Sequence, residues 1–116
     1  MNKAVEWTGR EPEFERRAGF VVMACAAVHR KDLPDRAFAA LLPTIRVAST
    51  DDRTYVKKAV SWALRQIGKR SLGLNAKAIR TAEQIGRIDA RPSRWVARDA
   101  LRELRSDAVH ARLLRR

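Results

Sequence analysis

Between Val56 and Arg70 the chain reads VKKAVSWALRQIGKR. On a helix, at about 100° per residue, Lys58, Trp62, Arg65 and Lys69 share one side. Val56, Ala59, Val60, Ala63 and Ile67 centre on the opposite one. An indole among three cations, away from the apolar face, has the chemistry of a polyanion surface. The cations meet phosphate and the aromatic packs on sugar or base. The competing arrangement packs Trp62 on a neighbouring helix, where it shields the stems of long basic side chains. A second stretch repeats the pattern. Arg91, Arg94, Arg98, Arg102 and Arg105 fall together with Trp95 at their margin, and Val96, Ala97, Ala100, Leu101 and Leu104 cover the other face. Asp99 and Glu103 are spaced to pair with some of these arginines. Arg17 projects from the side of Val21, Ala24 and Val28, to clamp a phosphate or to pair with Glu13. The residues nominated for binding are therefore Arg17, Lys58, Trp62, Arg65, Lys69, Arg94, Trp95 and Arg98.

Other chemistries lack their residues. His29 and His110 are isolated and read as surface side chains, and no Cys/His or carboxylate cluster has metal-ligand spacing. No glycine loop for phosphates and no nucleophile triad is suggested by spacing. Neither a metal nor a cofactor is expected. Cys25, the single cysteine, lies in the apolar run GFVVMACAAV and reads as a small buried hydrophobe. The pattern describes a binding surface without catalytic machinery.

The elements that must position these residues are helical almost throughout. A short helix at Lys3–Thr8 stops at Gly9, and a second covers Glu11–His29, with Pro12 in its first turn. Asp32 and Pro34 open a third, running to about Ala48. A fourth follows the break at Ser49, Thr50 and Asp51 and reaches about Arg70. SLGLN reads as a turn, a fifth helix covers about Ala76–Arg87, and DARPS breaks the chain again. A sixth starts near Ser93 and passes Leu104, with a last turn or short helix after Asp107. The expectation is all-α, with about six helices in one domain spanning 1–116. Helix starts near 11, 52 and 91 give a period of about 40 residues, which suits stacked helix pairs of the HEAT or armadillo type. In such a superhelix the second, fourth and sixth helices share a surface.

Charge is distributed unevenly. Residues 1–50 carry 8 basic and 6 acidic groups, and residues 51–116 carry 17 and 7, within a formal net charge of +12. The partner surface is therefore expected mostly in the second half. No apolar run approaches the roughly 18 residues of a spanning helix, and the N-terminus has no signal-peptide pattern. A cytoplasmic location and a nucleic-acid rather than membrane partner are expected.

FERRAGFVVMA, FAALLPTIRVASTDDRTYVKKAVSWALRQIGKRS and RWVARDALREL resemble the C-terminal half of bacterial DNA alkylation repair enzymes, the AlkD-like glycosylases. The resemblance covers almost the whole chain, and VKKAVSWALRQIGKR is its most specific element. It implies a superhelix of HEAT-like repeats whose basic concave surface cradles double-stranded DNA. It also implies a monofunctional N-glycosylase activity that releases cationic N3- or N7-alkylated purines. Arg17 matches the family's DNA-contacting arginine, and Trp62 matches a tryptophan of the aromatic cleft around the lesion. The family's catalytic aspartate belongs to a Trp-rich segment upstream of everything aligned here, and no aspartate of this chain inherits its place. Trp7 resembles a tryptophan just before the arginine helix. Expected, then, is a protein that binds alkylated or abasic duplex sites and is inactive alone. Alternatives are a glycosylase completed by a partner chain and a scaffold for an acidic protein. An unpaired apolar N-terminal end would suit a homodimer.

Overall fold

The computed structural model describes residues 2–115. Among these it contains eight helices and no strand: α1 (Asn2–Thr8), α2 (Glu13–His29), α3 (Asp35–Ala39), α4 (Leu42–Ala48), α5 (Thr54–Gly68), α6 (Leu72–Gly86), α7 (Arg91–Leu104) and α8 (Asp107–Leu114). The apolar stripe of α5 explains its place at the centre. Val56, Val60, Ala63, Leu64 and Ile67 are fully buried, and the helix packs on α2 along one flank and α7 along the other. Phe20 and Met23 of α2, Phe38 of α3, Ile45 of α4 and Ile85 of α6 close the same core. Each large side chain so removed from water contributes about 1.5–3 kcal/mol before its ordering cost.

Cross-helix contacts reveal the stacking. Lys57 meets Trp95, Ser61 meets Asp99 and Arg65 meets Glu103, so α5 and α7 run parallel with partners 38 residues apart. The same offset joins Arg17 to Tyr55 between α2 and α5, and Arg46 to Gln84 between α4 and α6. Thus α2, α5 and α7 form one layer of parallel helices, while α4 and α6 are successive members of the other. The fold is an all-α helical repeat, and its lateral offset lies close to the period of about 40 residues expected from the helix starts.

Local departures from expectation have local causes. The third helix is two pieces, because Pro43 lacks an N–H and its ring crowds the carbonyl of Ala39, where α3 ends. SLGLN is a helix start rather than a turn: Ser71 caps α6 by accepting a hydrogen bond from the Leu74 N–H at 3.1 Å. α7 begins at Arg91, two residues before Ser93, with Pro92 tolerated in its first turn. The split third helix and the short helix after Asp107 bring the number among the described residues to eight, against about six expected. Cys25 is exposed, not buried. Phe20, Met23, Ala24 and Ala27 turn one side of α2 to the core, and Cys25 lies on the other. Both histidines are exposed, and His110 Nε2 lies 3.1 Å from Asn75 Oδ1.

Two residues join the ends of the parallel layer. Buried Asn75 donates to the carbonyls of Gly68 and Leu104, both at 3.1 Å, tying the C-terminal ends of α5 and α7. Arg70, its side chain only 8% exposed, donates to the carbonyls of Ala27, Arg30 and Leu33 at the end of α2. At the other end of the molecule, Gly19 lets α1 approach α2. A Cβ there would stand 2.6 Å from the Ala4 carbonyl oxygen.

Candidate nucleic-acid interface

The side of α5 turned away from its apolar stripe carries Tyr55, Lys58, Trp62, Arg65 and Lys69, which the helical repeat presents in a row. Along the α2 flank this row opens into a cavity of about 460 Å³ lined by Arg17, Val21, Tyr55, Lys58, Ala59, Trp62 and Arg65. Arg17 stands between two exposed aromatics, 6.0 Å from the Phe14 ring centre and 5.7 Å from that of Tyr55. It makes no ion pair among the described residues, so the alternative pairing with Glu13 is not observed. Lys58 is exposed and likewise free of a carboxylate among the described residues. Trp62 combines both arrangements expected of it. One part of the indole packs against the core, and the rest lines the cavity. With the Gln66 amide turned so that its oxygen faces them, Trp62 Nε1 donates to it at 3.1 Å and Lys69 Nζ at 3.2 Å.

Along the α7 flank the charges are already matched. Arg65 Nη1 donates to Glu103 Oε1 at 3.0 Å, and Lys69 Nζ donates to Glu103 Oε2 at 2.8 Å. Ser61 Oγ donates to Asp99 Oδ2 at 2.6 Å. Burial acts to raise the Glu103 carboxyl, but hydrogen bonds from Lys69 and Arg65 together outweigh it and hold the group below its ordinary range. Spacing had offered Asp99 and Glu103 to the arginines of their own helix. Instead they mainly serve α5, and only Arg102 reaches Asp99 from within α7, at 3.8 Å.

The second nominated stripe lies apart from the cavity. Arg94 pairs with Asp89 at 3.2 Å, both exposed, a contact worth little in water. Trp95 packs partly against the core and carries the Lys57 ammonium 4.9 Å from its ring centre. Arg98 is exposed with no ion pair among the described residues. Thus Arg17, Lys58, Trp62 and Arg65 converge on one cavity. Lys69 lies with Gln66 in the wall of a separate, smaller cavity of about 150 Å³ beside Lys31 and Arg112, and Arg94, Trp95 and Arg98 do not reach the first. Phe14, Tyr55 and Lys57 were not singled out from the sequence, although Tyr55 stands seven residues before Trp62 on the same helical side.

A larger cavity, of about 810 Å³, lies between α1, α4 and the segment 49–53, away from these residues. Its polar wall is an internal ion cluster. Asp51, with its side chain 8% exposed, receives Arg53 Nη2 at 2.8 Å and Arg16 Nη1 at 2.9 Å. Hydrogen bonding from the Arg53 side chain, reinforced by its backbone N–H and by Arg16, overcomes burial and lowers this carboxyl to about 2. These charges satisfy one another and brace the N-terminal ends of α2 and α5. No group of three or more His, Cys, Asp or Glu side chains arranged to hold a metal occurs among the described residues. No described helix is long and apolar enough to cross a membrane.

No curated protein and no solved structure matches the chain. The sequence model of the family described as DNA alkylation repair enzyme matches residues 2–104. That span takes in every helix bordering the aromatic and cationic cavity, and the chain belongs to the DNA alkylation repair enzyme family.

Proposed function

We propose that this helical-repeat domain binds duplex DNA at alkylated or abasic sites, with the α2–α5 cavity against the damaged nucleotide. The observation that carries the reading is the convergence of Arg17, Lys58 and Trp62 in one open cavity where neither Arg17 nor Lys58 is ion-paired among the described residues. Lys58 and Arg17 neutralise backbone phosphates, and Trp62 and Tyr55 offer aromatic surface to the exposed sugar or base. Arg94 and Arg98 extend the phosphate contacts along α7, with Trp95 holding their helix against Lys57. A cytoplasmic, DNA-associated location fits this role.

Cleaving the N-glycosidic bond requires a carboxylate near the anomeric carbon, to stabilise positive charge as the base leaves or to orient water. Asp99 and Glu103, which reach Arg65 in the cavity wall, are engaged by Ser61, Arg65 and Lys69, and Asp51 is locked in its cluster. The chain therefore binds without cleaving on its own. Release of 7-methylguanine from alkylated DNA by the purified chain would overturn this part.

The binding test is fluorescence anisotropy with an abasic-analogue duplex and its undamaged counterpart across a salt series. Preferential, salt-dependent binding that Arg17→Ala and Trp62→Ala both weaken is expected; equal binding by wild type and both variants would sink the assignment. The exposed apolar side chains Val5 and Val22 on α1 and α2 favour a second copy docking at this end. A monomeric mass by light scattering at micromolar concentration would end that reading.

A further inference from the structure

Where α5 meets α7, the side chains are arranged as though a phosphate were already bound. Glu103 offers one carboxylate oxygen to Arg65 and the other to Lys69, at 3.0 and 2.8 Å. The two free oxygens of a backbone phosphate would meet the same pair of cations in the same manner. The three side chains are 28%, 15% and 33% exposed for Arg65, Lys69 and Glu103, so the cluster is open to an incoming anion. The grip on Arg65 is incomplete: its Nε is buried and donates to nothing among the described residues, and Asp99 Oδ2 at 3.7 Å lies beyond hydrogen-bonding distance.

We infer that Glu103 is an internal competitor for DNA phosphate, occupying Arg65 and Lys69 until a backbone phosphate displaces it. This inference rests on the DNA-binding reading above. Displacement sends the Glu103 carboxylate to solvent and gives the phosphate both cations. The consequence is a lower overall affinity. Competition costs every duplex the same phosphate contacts, and at the α2–α5 cavity it engages Arg65 while leaving Arg17, Lys58 and Trp62 as they are. A penalty common to damaged and undamaged duplex cancels in their ratio, so Glu103 sets affinity and its salt dependence.

The test compares Glu103→Gln with wild type and with Asp52→Asn, which removes an equal charge from an exposed position in the segment before α5. Binding of an undamaged and an abasic-analogue duplex is followed by anisotropy from low to moderate salt. E103Q should bind undamaged duplex about fivefold to tenfold more tightly than D52N does, and steepen the logarithmic salt slope by about 1 to 2. An affinity gain no larger than that of D52N, or a loss, overturns the inference while leaving the DNA-binding reading in place. Failure of wild type and both variants to bind any duplex at low salt overturns that reading, and this one with it. Binding by E103Q alone supports the competitor in its strongest form. Should E103Q loosen the fold, NMR titration of the unmutated chain decides instead. The Glu103 carboxyl should titrate at higher pH with saturating duplex than without, and an unchanged titration counts against displacement.

Discussion

The two flanks of α5 carry similar cations in opposite electrostatic states. Toward α2, Arg17 and Lys58 stand beside Phe14, Tyr55 and Trp62 with no acid in reach among the described residues. From the α7 side, Glu103 holds Lys69 and also Arg65, which reaches the wall of the α2 cavity. A formal charge of +12 counts both flanks alike, yet only the first presents cations that need not give up a partner to bind phosphate. Charge available to a ligand is thus a property of lateral packing, and the helix that brings acids to α5 decides it.

The largest effect that would sharpen the contrast comes from the aromatic side of the α2 flank. Trp62→Ala should weaken abasic-duplex binding by about tenfold to a hundredfold, in line with 1–3 kcal/mol for a stacked aromatic. Anisotropy measures it, and a change below twofold would mean that the indole serves packing alone.

Next in size is the brace at the end of that flank. Asp51→Asn should cost on the order of 1–3 kcal/mol of folding stability, because it unpairs Arg16 and Arg53 in a half-buried site. The same carboxyl sets an acid limit. Its value in the folded chain is lowered to about 2 from an ordinary 3.8, so its contribution is complete above about 4 and is lost as pH falls toward 2. Thermal unfolding followed between pH 6 and 2 should show wild type losing this increment, whereas Asp51→Asn stays flatter over the same window.

Smaller effects separate the two sets of cations. Lys58→Gln should reduce the logarithmic salt slope by about 0.9 and weaken duplex binding severalfold. Lys69→Gln should cost less, about twofold or under, since its phosphate contact must first release Glu103. Equal losses at both positions would erase the distinction between the flanks.

Periodicity made the row on α5 legible, because Lys58, Trp62, Arg65 and Lys69 follow from helical spacing alone. Helix starts about 40 residues apart similarly disclosed that α2, α5 and α7 share a layer. What spacing along one helix could not supply was the neighbour. Glu103 sits within five residues of Arg98, Arg102 and Arg105 and 38 from Arg65, and only lateral packing selects the distant one. Cys25 was misplaced for a related reason, since an unbroken apolar run does not say which side meets the core. Phe14 and Tyr55 are exposed aromatics whose roles depend on Arg17 standing between them, a relation across two helices. Ser71 was a readable cap, but Gly73 beside it weakens the helical signal and masked the start of α6.

The amide of Gln66 joins the indole of Trp62 to the ammonium of Lys69. This relay gives the molecule an optical gauge. The chain has three tryptophans, so replacing Trp7 and Trp95 by phenylalanine leaves one emitter, wired by a single side chain to the cation that Glu103 holds. A shift in its emission as duplex is added would then register the handover of Lys69 from carboxylate to phosphate in real time, without a label on either molecule.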